Sequence, residues 1–150
     1  MKLGFSILVT TLGAATSVMG QSSRIGAPVA GAHIKLGGTF TVQVIRNNGL
    51  LSSTEVGMVI CLLSCPTSSS VTCPSPQGQL GDCIYTGLFN PTIPLETGGG
   101  RYENFTLTAP STENFFVSGR AQLAVARLHL IGAGPAPVLE LNNITVVMVN

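Results

Sequence analysis

The sequence predicts an all-β domain, an antiparallel sandwich of about seven strands, and three observations predict it. Only 9% of the 150 residues are charged, too few to coat the solvent faces of amphipathic helices. Val, Leu, Ile and Thr recur in short runs, several of them alternating with polar residues as half-buried strands do. Eighteen glycines and nine prolines separate those runs with turn signals.

The first segment, residues 1–20, reads as an export signal. Lys2 supplies a minimal positive end, Leu3 to Ala15 the apolar run, and Val18-Met19-Gly20 a small-residue cleavage site before Gln21. A membrane anchor needs about 20 uninterrupted apolar residues, whereas Thr10, Thr11, Gly13, Thr16 and Ser17 interrupt this run. No later stretch is long and apolar enough to span a bilayer, so a secreted, extracellular product without stable membrane insertion is expected. Residues 21–150 then form one domain, long enough to bury roughly 65–70% of the surface its unfolded chain exposes.

Without Lys2 the chain carries six bases (Arg24, Lys35, Arg46, Arg101, Arg120, Arg127) and six acids (Glu55, Asp82, Glu96, Glu103, Glu113, Glu140). The bases are scattered singly. Nucleic acid or an anionic membrane would demand clustered cations to displace counterions, so neither partner is expected.

Phe40, Val42 and Val44 alternate with Thr41 and Gln43 in the first clear strand, entered through Gly37-Gly38. Glu55 to Leu63 is almost continuously apolar from Val56, the mark of a strand covered on both faces. Cys83 to Phe89 begins another. In Tyr102 to Thr108, Phe105 and Leu107 point one way and Asn104 and Thr106 the other. Asn104-Phe105-Thr106 is an N-glycosylation triplet whose Asn104 faces outward, and Asn143-Ile144-Thr145 is a second.

Ala121 to Ile131 has the Ala and Leu content of a helix, but a strand fits its surroundings better. Leu123 and Val125 share a parity that later carries Arg127 and His129, so a bulge near Ala126 is expected to restore an apolar inner face. In Val138 to Val149, a parity switch at Asn142-Asn143 is expected to turn Leu139, Leu141, Ile144, Val146 and Met148 inward together. The strand count and spacing match the immunoglobulin-like architecture, without its tryptophan or its inter-sheet disulfide.

Between two of these strands lies a Ser-, Pro- and Gly-rich excursion, Ser64 to Asp82, longer than an ordinary hairpin loop. Cys61, Cys65, Cys73 and Cys83 bracket it. Four cysteines permit three pairings; the nested one, Cys61 with Cys83 and Cys65 with Cys73, would clamp the base and tighten the tip. Closing the outer loop would contribute about 3 kcal/mol. A metal site is not expected, because gaps of three, seven and nine residues lack the short paired knuckles of thiolate zinc sites and exported cysteines form disulfides.

Residue chemistry identifies no reaction. His33 and His129 are the only histidines, and neither sits in a catalytic motif; no Gly-x-Ser-x-Gly elbow is present. Six dispersed acids can always furnish some pair for glycoside cleavage, yet the chain has no Trp and only Tyr85 and Tyr102 for sugar stacking. Gly98-Gly99-Gly100 and Gly132-Ala133-Gly134 lack the flanking residues of nucleotide-binding loops. The expectation is a protein that is not an enzyme and carries no cofactor.

Several segments together resemble a known family, the necrosis-inducing secreted proteins of filamentous fungi. They are Ile34-Lys35-Leu36-Gly37 before Phe40-Thr41-Val42, the Glu55-Val56-Gly57-Met58-Val59-Ile60 strand, and Leu80-Gly81 leading to Tyr85-Thr86-Gly87-Leu88-Phe89-Asn90-Pro91. Asn104-Phe105-Thr106-Leu107 follows. The most distinctive part is C-terminal: Gly119-Arg120-Ala121-Gln122-Leu123-Ala124-Val125-Ala126, then Leu130-Ile131-Gly132-Ala133-Gly134-Pro135, Pro137-Val138-Leu139-Glu140 and Asn143-Ile144-Thr145-Val146. The resemblance implies a non-enzymatic effector that binds and inhibits host receptor-associated kinases, suppresses pattern-triggered plant immunity, and can provoke cell death. Such kinase domains are cytosolic, which requires uptake into the host cell.

The bracketed insert is longer than the hairpin of ascomycete members. If it is the contact surface, Pro66, Pro74 and Pro76 are its partner-binding candidates. If the contact lies on the family-like C-terminal strands, exposed Arg120 and Arg127 are. A fungal cell-wall or carbohydrate-binding module is the alternative reading, and a secreted inhibitor acting through the disulfide loop is a third. The sequence specifies no oligomeric state.

Overall fold

The structure, a computed structural model, describes residues 22–49, 51–68, 71–114 and 116–150. The export signal of residues 1–20 lies outside the described residues. The described residues form nine strands: β1 (Ser23–Ala27), β2 (His33–Lys35), β3 (Thr39–Arg46), β4 (Ser53–Ser64), β5 (Asp82–Gly87), β6 (Ile93–Pro94), β7 (Arg101–Thr108), β8 (Gly119–Ile131) and β9 (Ala136–Val149). A single 3-10 turn, Thr112–Asn114, accompanies them. No helix among the described residues is long and apolar enough to cross a membrane.

Two sheets pack face to face, one of order β1-β3-β7-β6 and one of order β2-β9-β8-β4-β5. The sandwich therefore holds more strands than the seven or so expected, the extra ones being the short β2 and β6. It is also not wholly antiparallel. His33–Lys35 runs parallel to β9, with His33 opposite Val147 and Lys35 opposite Val149.

Period-two alternation builds the core. Val42 and Val44 of β3 and Phe105 of β7 face Met58, Ile60 and Leu62 of β4, Leu123 and Val125 of β8, and Val146 and Met148 of β9. Phe89 and Phe116 fill the space between the sheets. Ala121–Ile131 is strand, as expected, because it pairs on both sides, with β4 and with β9. Shared ladders of that length override the helix propensity of Ala and Leu.

The two expected parity switches are not present. The β8–β9 ladder runs without a register shift from Gly119 opposite Met148 to Ile131 opposite Ala136. The bulge falls instead in β4, between Glu55 and Gly57. Arg127 and His129 thus keep the parity of Leu123 and Val125 and are buried inside the sandwich. On β9, Leu139 lies at the parity opposite Val146 and Met148 and is 63% exposed, not turned inward.

Candidate functional site

The bulge at Val56 changes which side chains of β4 face inward, because one extra residue inverts the alternation beyond it. Glu55, opposite His129, thereby meets Arg127 inside the sandwich. Arg127 Nε and Nη2 donate to the two Glu55 carboxylate oxygens at 2.7 and 2.6 Å. Its Nη1 donates to Glu140 at 2.7 Å. Arg46 joins Glu55 at 3.3 Å, and Ser23 Oγ donates to Glu140 at 2.7 Å. The guanidinium also lies 5.6 Å from the Phe89 ring centre, within cation–π range.

Arg127 is therefore not an exposed partner-binding residue; its exposure is 0%, and it is the hub of an internal ion network. Burial lowers the affinity of such a guanidinium for its proton, but the bonds and charges of Glu55 and Glu140 outweigh that and hold Arg127 above its ordinary value. His129, also buried, has neither ring nitrogen hydrogen-bonded. Burial first, and the Arg127 charge second, push its pKa below the ordinary imidazole value. The ring is held neutral by both effects.

At the other end of β4 and β8, the cysteines pair as Cys61–Cys83 and Cys65–Cys73. The outer bridge links neighbouring strands β4 and β5, and the inner one closes the tip of the insert. Gly81 lets the returning chain cross β4, since it has φ +84° and a Cβ there would sit 2.3 Å from Leu62 O. Gln122 Nε2 donates to Gln79 O at 3.4 Å. The insert thus covers the outer face of β4 and β8 around Cys61, Gln122 and Ala124, all buried.

Arg120 clasps this insert from β8. Its Nη2 is shared among the carbonyl oxygens of Pro66, Ser68 and Val71 at 2.9, 2.6 and 2.9 Å. Cys65 N donates to Arg120 O at 2.9 Å. The two surfaces that the sequence leaves separate, the insert with Pro66 and the C-terminal strands with Arg120, are one surface. Pro66 is exposed on it, while Pro74 and Pro76 are half-buried.

The insert does not cover the whole outer sheet face. Beyond it lies an open apolar groove of about 490 Å³, lined by Val56, Val59, Leu88, Ala126, Leu128 and Leu139 with nearby main chain of Gly57 and Gly87. Leu88 is 69% exposed. The parity switch expected at Asn142-Asn143 turns Leu139 inward, which hides this surface from the sequence. The uncorrected alternation of β8 and β9 was the signal that could have found it.

Asn104 is exposed on β7, as the alternation implies. Asn143 is exposed on β9, and its Nδ2 donates to Gln122 Oε1 at 3.3 Å. Tyr85, a candidate for sugar stacking, packs its ring 4.7 Å from that of Phe105 and donates its hydroxyl to Leu88 O at 2.6 Å. One face of that ring is thus already covered. Among the described residues, no three or more His, Cys, Asp or Glu side chains gather as metal ligands.

A family model described as the Nis1 family matches residues 18–147. No curated protein sequence matches the chain.

Proposed function

The chain belongs to the Nis1 family, a fungal effector-like family, and from that premise we propose that it is a secreted, non-enzymatic effector that binds and inhibits host receptor-associated kinases. Its contact surface is the outer face of the five-stranded sheet. The observation that carries this placement is the apolar groove of Val56, Leu88, Leu128 and Leu139, on the same sheet face as the disulfide-stapled insert. Contiguous exposed apolar surface rimmed by polar residues marks protein docking sites. The two bridges and the Arg120 clasp reduce the ordering that association would otherwise cost.

Suppression of pattern-triggered immunity follows from kinase inhibition in this reading, and the cytosolic location of those kinase domains requires entry into the host cell. The test is the elicitor-triggered oxidative burst in leaf tissue expressing residues 21–150, with and without the signal peptide, beside the Leu88→Glu/Leu139→Glu variant. A suppressed burst with the parent and a normal one with the variant supports the proposal. A normal burst with intact, abundant parent protein overturns it.

A further inference from the structure

The two long sides of the sandwich are closed differently. On one side β1 is tied to β9 through Ser23 and Glu140. On the other, β6 pairs with only Tyr102 and Arg101 of β7, so the rest of that strand has no strand neighbour on its outer edge. Among the described residues no other strand pairs there; the segment leading into β6 touches β7 through Asn90 N, which donates to the Glu103 carboxylate at 2.6 Å.

Register identifies the groups left open. Ala109 N donates to Gly38 O at 2.9 Å, and the β3–β7 ladder continues in step from Thr39 opposite Thr108. In an antiparallel ladder hydrogen-bonded pairs alternate with non-bonded ones. Leu107, Phe105 and Glu103 therefore bond to β3, whereas Thr108, Thr106 and Asn104 direct their N–H and C=O groups toward the vacant edge. Among the described residues, no main-chain hydrogen bond takes up those groups. Leu95 N donating to Gly100 O at 3.1 Å places Tyr102 in the same outward series, where β6 does pair with it.

This edge is regular. Its eight ladder pairs with β3 run without a shift, and Glu103 to Thr108 contains no Pro or Lys, the residues that blunt natural edges. The edge strand of the opposite sheet, β5, is bulged at Ile84. Between the two edges runs an open cleft of about 460 Å³, lined by Asp82, Cys83 and Ile84 on one wall and Thr108, Ala109 and Pro110 on the other.

We propose that the β7 edge is a second binding site, which takes an extended peptide segment of a partner protein as an added strand in line with β6. Main-chain bonds to Asn104, Thr106 and Thr108 hold the peptide, and alternate side chains enter the cleft beside Ile84 and Ala109. The cleft wall is part apolar and part polar and carries one acid, Asp82, so a small apolar residue is favoured beside Ile84 and Ala109 and a polar or basic one beside Asp82. The site is separate from the outer-face groove and does not depend on it.

The probe is a displayed library of linear peptides, selected on disulfide-bonded residues 21–150 made without glycans, because a sugar on Asn104 would stand beside this edge. Enriched peptides are expected to slow amide exchange at Asn104, Thr106 and Thr108 and to leave Phe105 and Leu107 unchanged. Thr108→Pro removes an outward N–H while sparing the β3 ladder, and is expected to weaken binding at least tenfold. Thr106→Pro serves the same purpose if that variant misfolds. Failure to enrich any peptide, binding to a folded proline variant as tight as to the parent, or exchange changes elsewhere would overturn the proposal. Concentration-dependent protection of the three amides in the protein alone would assign the edge to a second copy and overturn the peptide.

Discussion

Arg127 donates to both carboxylate oxygens of Glu55, at 2.7 and 2.6 Å, across the one bulge of the β4–β8 ladder. The pair exists because that bulge brings Glu55 to the inner face on which Arg127 already lies. A second acid, Glu140, completes the network from β9.

Arg127→Ala is expected to destabilise the fold by about 3–5 kcal/mol, since it strands two largely buried carboxylates. Arg120→Ala, whose bonds go to a surface loop, is expected to cost under about 1 kcal/mol. Urea unfolding of the two variants beside the parent checks this; equal losses would contradict the full burial of Arg127 and the half-buried surface position of Arg120.

His129 makes stability fall in acid. Its folded pKa lies below the unfolded value of about 6.5, so the unfolded chain binds the extra proton first. Stability from this group is complete above pH 6.5 and is lost as pH falls from there through the lower folded pKa. His129→Phe is expected to flatten the slope of unfolding free energy between pH 7.5 and 5.5 by up to about 1.4 kcal/mol per pH unit. Parallel slopes would show that the ring is not held neutral by its surroundings.

Removing the Cys61–Cys83 bridge by paired alanines is expected to cost about 3 kcal/mol, because it releases a 22-residue span of chain. Removing Cys65–Cys73, which spans 8 residues, is expected to cost less and to act locally. Limited proteolysis should then cut between Pro66 and Cys73 while the sandwich melts near its original temperature. A protected loop in that variant would mean that Arg120 alone holds it.

Leu88→Glu and Leu139→Glu are expected to alter stability by no more than about 0.5 kcal/mol each, because both side chains already face solvent. Retention on a hydrophobic column should fall markedly. A large drop in melting temperature would show that these residues support the core.

Most strands were legible because alternation is a local property. Phe40, Val42 and Val44 have one neighbour pattern whatever lies across the sheet, and Phe105 with Asn104 behaves the same way. The interior charges were not legible. Arg127 on an inner face looks like an error to be repaired by a bulge in β8, and only the partner acids from β4 and β9 make it tolerable there.

The sequence by itself determined the all-β class, the places of the long strands, the outward turn of Asn104 and the grouping of the cysteines, all of which follow from local periodicity and spacing. Tertiary structure decided the nested disulfide pairing, the burial of Arg127 and His129, the clasp of Arg120 on Pro66, Ser68 and Val71, and the bare groove around Leu88 and Leu139. Those depend on which distant segment covers each face. A residue's exposure is set by what packs against it, and that neighbour is chosen by ladder register and bulges, which a single strand's own sequence does not encode.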